Sequence, residues 1–336
     1  MTTILAEPTK RNSTPPPRAM RAAVALVFCL LLIGFWFEAL TLRITAAMGT
    51  SAVPAFISFA MLLAPLWFFA FGAAGPKRAA LNSRLARIAA PAVLALPYLF
   101  FAIPLHEFQF SFALALALLP IALSLLLEFA PRTQKLLWQD VVVLLTLAFT
   151  LELGLLSAAW PHPGLGSLPK LYLADVALYL YLVVRPIEGL GYSFEPQPSA
   201  FLIGAREWLF YAPLAFGLGF ALHFIHWIPR THSIGHILAG ILITFLLTAV
   251  PEEIFFRGIF QNLLEPITGR TWALTIASLI FGLSHFHKGA AFNWRYVIMA
   301  AIAGVFYGRA WREKRQLLAS SITHTAVDVV WSLWFR

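Results

Sequence analysis

Residues 237–264 read ILAGILITFLLTAVPEEIFFRGIFQNLL, an apolar run of membrane-spanning length with two glutamates and an arginine near its middle. A bilayer core of ~30 Å needs roughly 20 apolar residues in a helix. Ionisable side chains at that depth are costly and are functional candidates by default. Pro251 removes the backbone hydrogen bond to Leu247 and distorts the helix there. Glu253 and Arg257 are four apart on one face, in the favourable order, and read as an internal ion pair. Glu252 points ~100° away, so it has no local partner and is a candidate general base. The competing structural reading lets both glutamates bond the arginine or a neighbouring helix.

The whole chain of 336 residues shares this character. It is 60% hydrophobic and 12% charged, with a mean hydropathy of +0.80, where a soluble domain carries about 25% charged residues. That excludes a water-soluble α/β enzyme and a disordered protein. The net charge of +9 comes from basic residues between apolar blocks, so it reflects topology and no nucleic-acid partner is expected. Cys29 is the single cysteine, which excludes a disulfide framework and a thiolate metal cluster.

Eleven apolar runs follow: 22–42, 52–74, 88–105, 110–130, 136–160, 171–184, 208–227, 237–264, 271–286, 294–310 and 317–335. The run 171–184 is short and carries Asp175. Only helices or closed barrels satisfy the backbone in lipid, and a barrel needs alternating ten-residue strands. The expected fold is therefore all-α, a polytopic transmembrane bundle of about 11 spans. Residues 1–20, with Pro15, Pro16 and Pro17, read as a disordered cytosolic tail. With the N-terminus in the cytosol, inner segments hold seventeen basic residues and outer segments six, Lys170 among the outer ones, which agrees with the positive-inside rule. Residues 21–230 form an N-terminal helical region, and 231–336 place many polar groups at membrane depth.

Two further constellations lie in that second part. The stretch 281–287 reads FGLSHFH; His285 is inside a span, His287 at its water boundary, and Gly282 admits a close helix. The stretch 320–328 reads SSITHTAVD; His324 and Asp328 share a face, and an Asp can hold an imidazole in one tautomer. Each alone is as readily a polar helix contact. Depth joins them. At ~1.5 Å per residue, Glu252, His285 and His324 all fall mid-bilayer, so three helices are expected to enclose one polar cavity, an active site buried among the C-terminal helices. Ala300, Gly304 and Gly308 form a small-residue packing face. His223, His226, His232 and His236 cluster near an interface, where His232 and His236 have metal-ligand spacing. Glu152 and Asp175 have no easy explanation.

Two hydrolytic routes suit this set. Glu252 deprotonates a water while His285 and His324 stabilise the oxyanion, or some of Glu252, His285, His324 and Asp328 ligate a divalent ion such as zinc. The metal-free route is preferred, because a ligating Glu is poorly placed to be the base.

In order, Glu252-Glu253-x-x-x-Arg257, Phe281-x-x-x-His285 and His324-x-x-x-Asp328 resemble the three motifs of the CPBP (Abi) family, the intramembrane proteases related to the CAAX prenyl endopeptidase Rce1. The resemblance covers about residues 235–336. It implies a glutamate-dependent intramembrane endopeptidase, historically labelled a metalloprotease. It makes Glu252 the water-activating residue, puts His285, His324 and Asp328 in the site, and gives Glu253 and Arg257 a supporting role. The implied substrate is a membrane-associated protein or peptide, and the implied location is the cell (inner) membrane. Many members carry Asn where this chain has Asp328; the extra charge would either raise the pKa of Glu252 or favour a cation, which leaves both routes open. The competing readings are a proton-coupled transporter, opposed by the lack of internal repeats, and a non-catalytic membrane scaffold or immunity protein.

Overall fold

The computed structural model describes residues 18–71, 83–162, 164–289 and 292–335. The expectation for the tail therefore falls, up to residue 17, outside the described residues, as does the end of the 52–74 run. In chain order the helices are α1 (Arg18–Thr41), α2 (Ile44–Met48), α3 (Ala52–Ala70), α4 (Arg84–Ala89), α5 (Leu96–Ala102), α6 (Phe110–Glu128), α7 (Trp138–Glu152), α8 (Leu168–Tyr179), α9 (Pro198–Ala221) and α10 (Ile234–Thr244). They continue as α11 (Val250–Glu253), α12 (Asn262–Thr268), α13 (Arg270–Leu283), α14 (Trp294–Lys314) and α15 (Leu317–Trp334). The architecture is all-helical; among the described residues the only strand-like pairing is an isolated bridge between Trp227 and Phe335.

Each of the eleven apolar runs is helical over most of its length. Among the described residues five segments are long and apolar enough to cross a membrane: Ala19–Thr41, Ile44–Ala70, Arg84–Ala102, Phe110–Glu128 and Ile234–Thr268. The helices of the remaining runs are shorter or less apolar. The 136–160 run, for example, leaves the helix after Glu152 and continues in turns. Apolar side chains such as Leu30, Phe37, Phe110 and Leu202 remain exposed on outer faces, as expected where lipid is the solvent.

The short 171–184 run is the centre of the bundle. α8, extended by a π-helical turn over Leu180–Val184, is buried over nearly its whole length. A helix apolar all round belongs in such a position. Its tyrosines reach neighbouring backbone: Tyr172 Oη donates to the Leu116 carbonyl at 2.6 Å and Tyr179 Oη to that of Arg87 at 2.8 Å. The same core continues into the second part of the chain through Val250, Ile254, Ile259 and Leu263.

The distortion expected at Pro251 takes the form of two widened π-helical stretches, Phe245–Ala249 and Ile254–Gln261, flanking α11. Such insertions recur at functional sites and change which side chains share a face. α13 and α14 pack at very close range. A Cβ on Gly282 would lie 2.6 Å from the Val297 carbonyl, and one on Gly304 would lie 3.1 Å from Ser278 Cα. The small-residue face is thus a helix contact, as its spacing indicates.

Candidate active site

Glu253 is the hub of a buried network. Its Oε1 accepts from Arg257 Nη1 at 3.1 Å, and both side chains are fully buried. The same oxygen meets His324 Nδ1 at 2.9 Å, and Oε2 accepts from the Ser320 hydroxyl. Arg257 also donates to the Gly304 carbonyl at 3.1 Å and lies over the Phe281 ring, 4.5 Å from its centroid. A Cβ on Gly304 would come within 3.2 Å of that guanidinium, so this glycine makes room for it. The ion pair read from the i,i+4 spacing is present. Its hold on His324 was not legible, because the two residues are 71 positions apart.

His324 is fixed on every side. Its ring stacks on Tyr307 with centroids 4.4 Å apart and planes 15° apart, and Phe281 meets it edge-on. With Nδ1 held by a carboxylate, that nitrogen carries a proton, and Nε2 is the position left to face two further carboxylates, which favour a proton there as well. Nε2 lies 3.8 Å from Glu252 Oε2 and 3.4 Å from Asp328 Oδ2. The nearer tautomer-holding partner is therefore Glu253 rather than Asp328, whose side chain is 30% exposed. Sequence proximity favoured the i+4 residue; packing brought the more distant one closer.

Glu252 is not left without a partner, as the helical-face argument expected. Its Oε1 accepts from Lys170 Nζ at 2.8 Å. Oε2 is buried and has no hydrogen-bond partner among the described residues. Lys170, counted among outer-loop cations in the sequence, sits in the first turn of α8 and enters the site from the N-terminal region. No spacing rule connects residues 82 positions apart, and only the charge at the head of an apolar helix hinted at it.

His285 sits on α13's C-terminal side, where its Nδ1 donates to the Phe281 carbonyl at 2.8 Å and Ser284 Oγ lies 3.2 Å away. Tyr296 packs against its ring at 4.9 Å. The four expected site residues do not line one cavity. His285, His324 and Asp328 line a cleft walled by aromatic residues that include Tyr211, Tyr296 and Trp331. Glu252 lines a second cleft with Lys170, Glu152, Phe255 and Ser284. Between the residues of the two clefts, Glu252 Oε2 faces His324 Nε2 at 3.8 Å. Glu152 thus belongs to the Glu252 side. Asp175 is 1% exposed and lines a separate cleft with Pro65 and Pro91.

Among the described residues no group of three or more His, Cys, Asp or Glu converges as a metal-binding set. Glu253 and the Phe281 carbonyl occupy the Nδ1 atoms of the two histidines, and Glu252 and His285 open into different clefts. With Nδ1 so held, Nε2 is the nitrogen either histidine would offer a metal, but Glu252, His285, His324 and Asp328, some of which the metal route would use, do not line one cleft. His232 and His236 stack, ring centroids 5.2 Å apart, and His232 Nε2 donates to the Leu333 carbonyl at 3.0 Å.

Residues 233–330 match the family described as Type II CAAX prenyl endopeptidase Rce1-like. The resemblance read from the three motifs holds for the segment that carries them, and that family is one of CAAX-type intramembrane proteases. With five helices able to cross a bilayer, the chain is a multi-pass membrane protein. Comparison with curated proteins gave no match, and comparison with solved structures gave none.

Proposed function

We propose that this chain is an intramembrane endopeptidase that cleaves a membrane-associated protein or peptide, with Glu252 as the general base. The observation that carries the reading is the open Oε2 of Glu252, buried and unbonded, facing a histidine whose other nitrogen is fixed. A gap of 3.8 Å is too long for a direct hydrogen bond and suits a bridging water. Such a water donates one proton to Glu252 Oε2 and accepts a hydrogen bond from His324 Nε2–H, leaving its second lone pair directed at a substrate carbonyl.

The oxygen adds to the carbonyl carbon as Glu252 takes the proton. His324, protonated among the carboxylates that surround it, then stabilises the oxyanion, while His285, whose Nδ1 proton is committed to the Phe281 carbonyl, lines the aromatic side. Collapse of the intermediate breaks the C–N bond, and Glu252 returns its proton to the leaving amine. Glu253 and Arg257 hold His324 and take no part in bond making. Asp328, at the cleft edge, limits the freedom of His324 Nε2. Every step uses the chain's own side chains.

The test is cleavage of labelled membrane peptides by purified protein in detergent, wild type beside Glu252→Gln, with and without a chelator. Glu252-dependent cleavage that survives chelation is the expected result. Cleavage abolished by chelator and restored by zinc would replace this mechanism with a metal-assisted one. Cleavage retained by Glu252→Gln would remove Glu252 from the role of base.

A further inference from the structure

We infer that Lys170, outside the family-matched segment, is a positioning residue for Glu252. The inference rests on the proteolytic reading for its catalytic meaning and on geometry for the contact itself. Lys170 Nζ binds Oε1 of Glu252 at 2.8 Å, so one oxygen is tied and the other is left to face His324. A carboxylate held at both oxygens would not be free to accept a proton from water. One held at neither could rotate its oxygens away from His324.

The helix that carries Lys170 is built to hold it still. Pro169 is pre-set for a helix start, and Leu168, Leu171, Tyr172 and Leu173 around it are buried, with Tyr172 anchored to the Leu116 carbonyl. Lys170 therefore has a fixed backbone and a stem running through the cleft that Glu252 lines. Glu152 lines that cleft as well, yet the ammonium group bonds Glu252. The contact also gives the N-terminal region a role in the site, since α8 contributes the cation that is hydrogen-bonded to Glu252. Arg257, the cation nearest in sequence to Glu252 within the family-matched segment, is engaged by Glu253.

Two measurements test this together. The first needs no substrate: the intact protein in detergent is treated with dicyclohexylcarbodiimide, an apolar reagent that activates a carboxyl for attack by an adjacent amine. An amide joins Lys170 to Glu252 as the carbodiimide becomes its urea, and peptide mass spectrometry reads the cross-link. The second is peptide cleavage by Lys170→Met, Lys170→Arg and Lys170→Met/Glu252→Gln. Lys170→Met is expected to lower kcat roughly 10–100-fold with KM little changed, the scale of a small misplacement of a catalytic group. Lys170→Arg is expected to recover most of the loss, and Lys170→Met to add nothing in the Glu252→Gln background.

Absence of the cross-link overturns the inference whatever the activity does. So does an unchanged kcat in Lys170→Met, or an equal loss in Lys170→Arg. A cross-link in a protein whose wild type and Glu252→Gln forms are equally inactive supports the pairing and overturns the proteolytic reading instead.

Discussion

Asp140 and Glu252 are both buried carboxylates paired with a cation from a distant helix, and they differ in what they leave open. Asp140 Oδ2 accepts from the Leu137 backbone N–H at 2.8 Å and faces Arg185 Nη2 at 3.1 Å. Its Oδ1 accepts from the Tyr181 hydroxyl at 3.1 Å. Both oxygens are thus satisfied, and Arg185 is secured further by the Thr133 and Lys135 carbonyls. Glu252 has one oxygen tied and one free beside an imidazole. The lesson is that burial and pairing alone do not separate the two; what sets Glu252 apart is an unsatisfied oxygen placed beside an imidazole.

Substitution turns that contrast into measurements. The largest expected effect is on Glu252→Gln, which removes the base and should lower kcat by roughly 10²–10⁴-fold while thermal stability in detergent stays near wild type. Asp140→Asn should give the opposite pattern, a clear loss of stability with unchanged kcat per folded molecule. If both changes altered the same quantity, the contrast would collapse. Arg257→Ala strands Glu253 in the core and should cost about 3–5 kcal/mol, the scale of a broken buried pair. Its readout is the fraction of monodisperse protein after heating, and loss of activity without loss of folded protein would point to direct chemistry by Arg257.

Gly282→Ala is expected to cost about 1–3 kcal/mol, because the new methyl meets the Val297 carbonyl and α13 must move from α14. A melting curve checks this, and no change would mean that the two helices separate freely. The smallest effect belongs to Asp328→Asn. The side chain is partly exposed and the amide keeps its shape, so kcat should change by less than about tenfold. A loss as large as that of Glu252→Gln would move Asp328 from the edge of the site to its centre.

The local parts of this site were legible in the sequence, and the distant parts were not. The Glu253–Arg257 pair follows from i,i+4 spacing, and the close approach of α13 to α14 follows from Gly282, Ala300, Gly304 and Gly308. The helical character of all eleven apolar runs was readable as well. Lys170 was read as a loop cation because its position before an apolar run resembles a topology signal. The bond from Glu253 to His324 joins two helices whose relative rotation no local rule fixes. The π-helical stretches around α11 add to this difficulty, because they break the even rotation assumed when Glu252 was placed on a face of its own. The 171–184 run looked too short to be confident of, and its length is explained by the neighbours that shield it from lipid.

On the proposed mechanism, the placing of Glu252 and His324 in two different clefts has a kinetic consequence. Water and peptide need not arrive through the same opening, so neither has to wait for the other to bind. An apolar compound seated among Tyr211, Tyr296 and Trp331 would compete with the peptide and raise its apparent KM. A compound lodged beside Lys170 and Glu152 would leave peptide affinity intact and lower the maximal rate. Two inhibitor classes with different double-reciprocal patterns, binding without excluding each other, are what such a divided chamber produces.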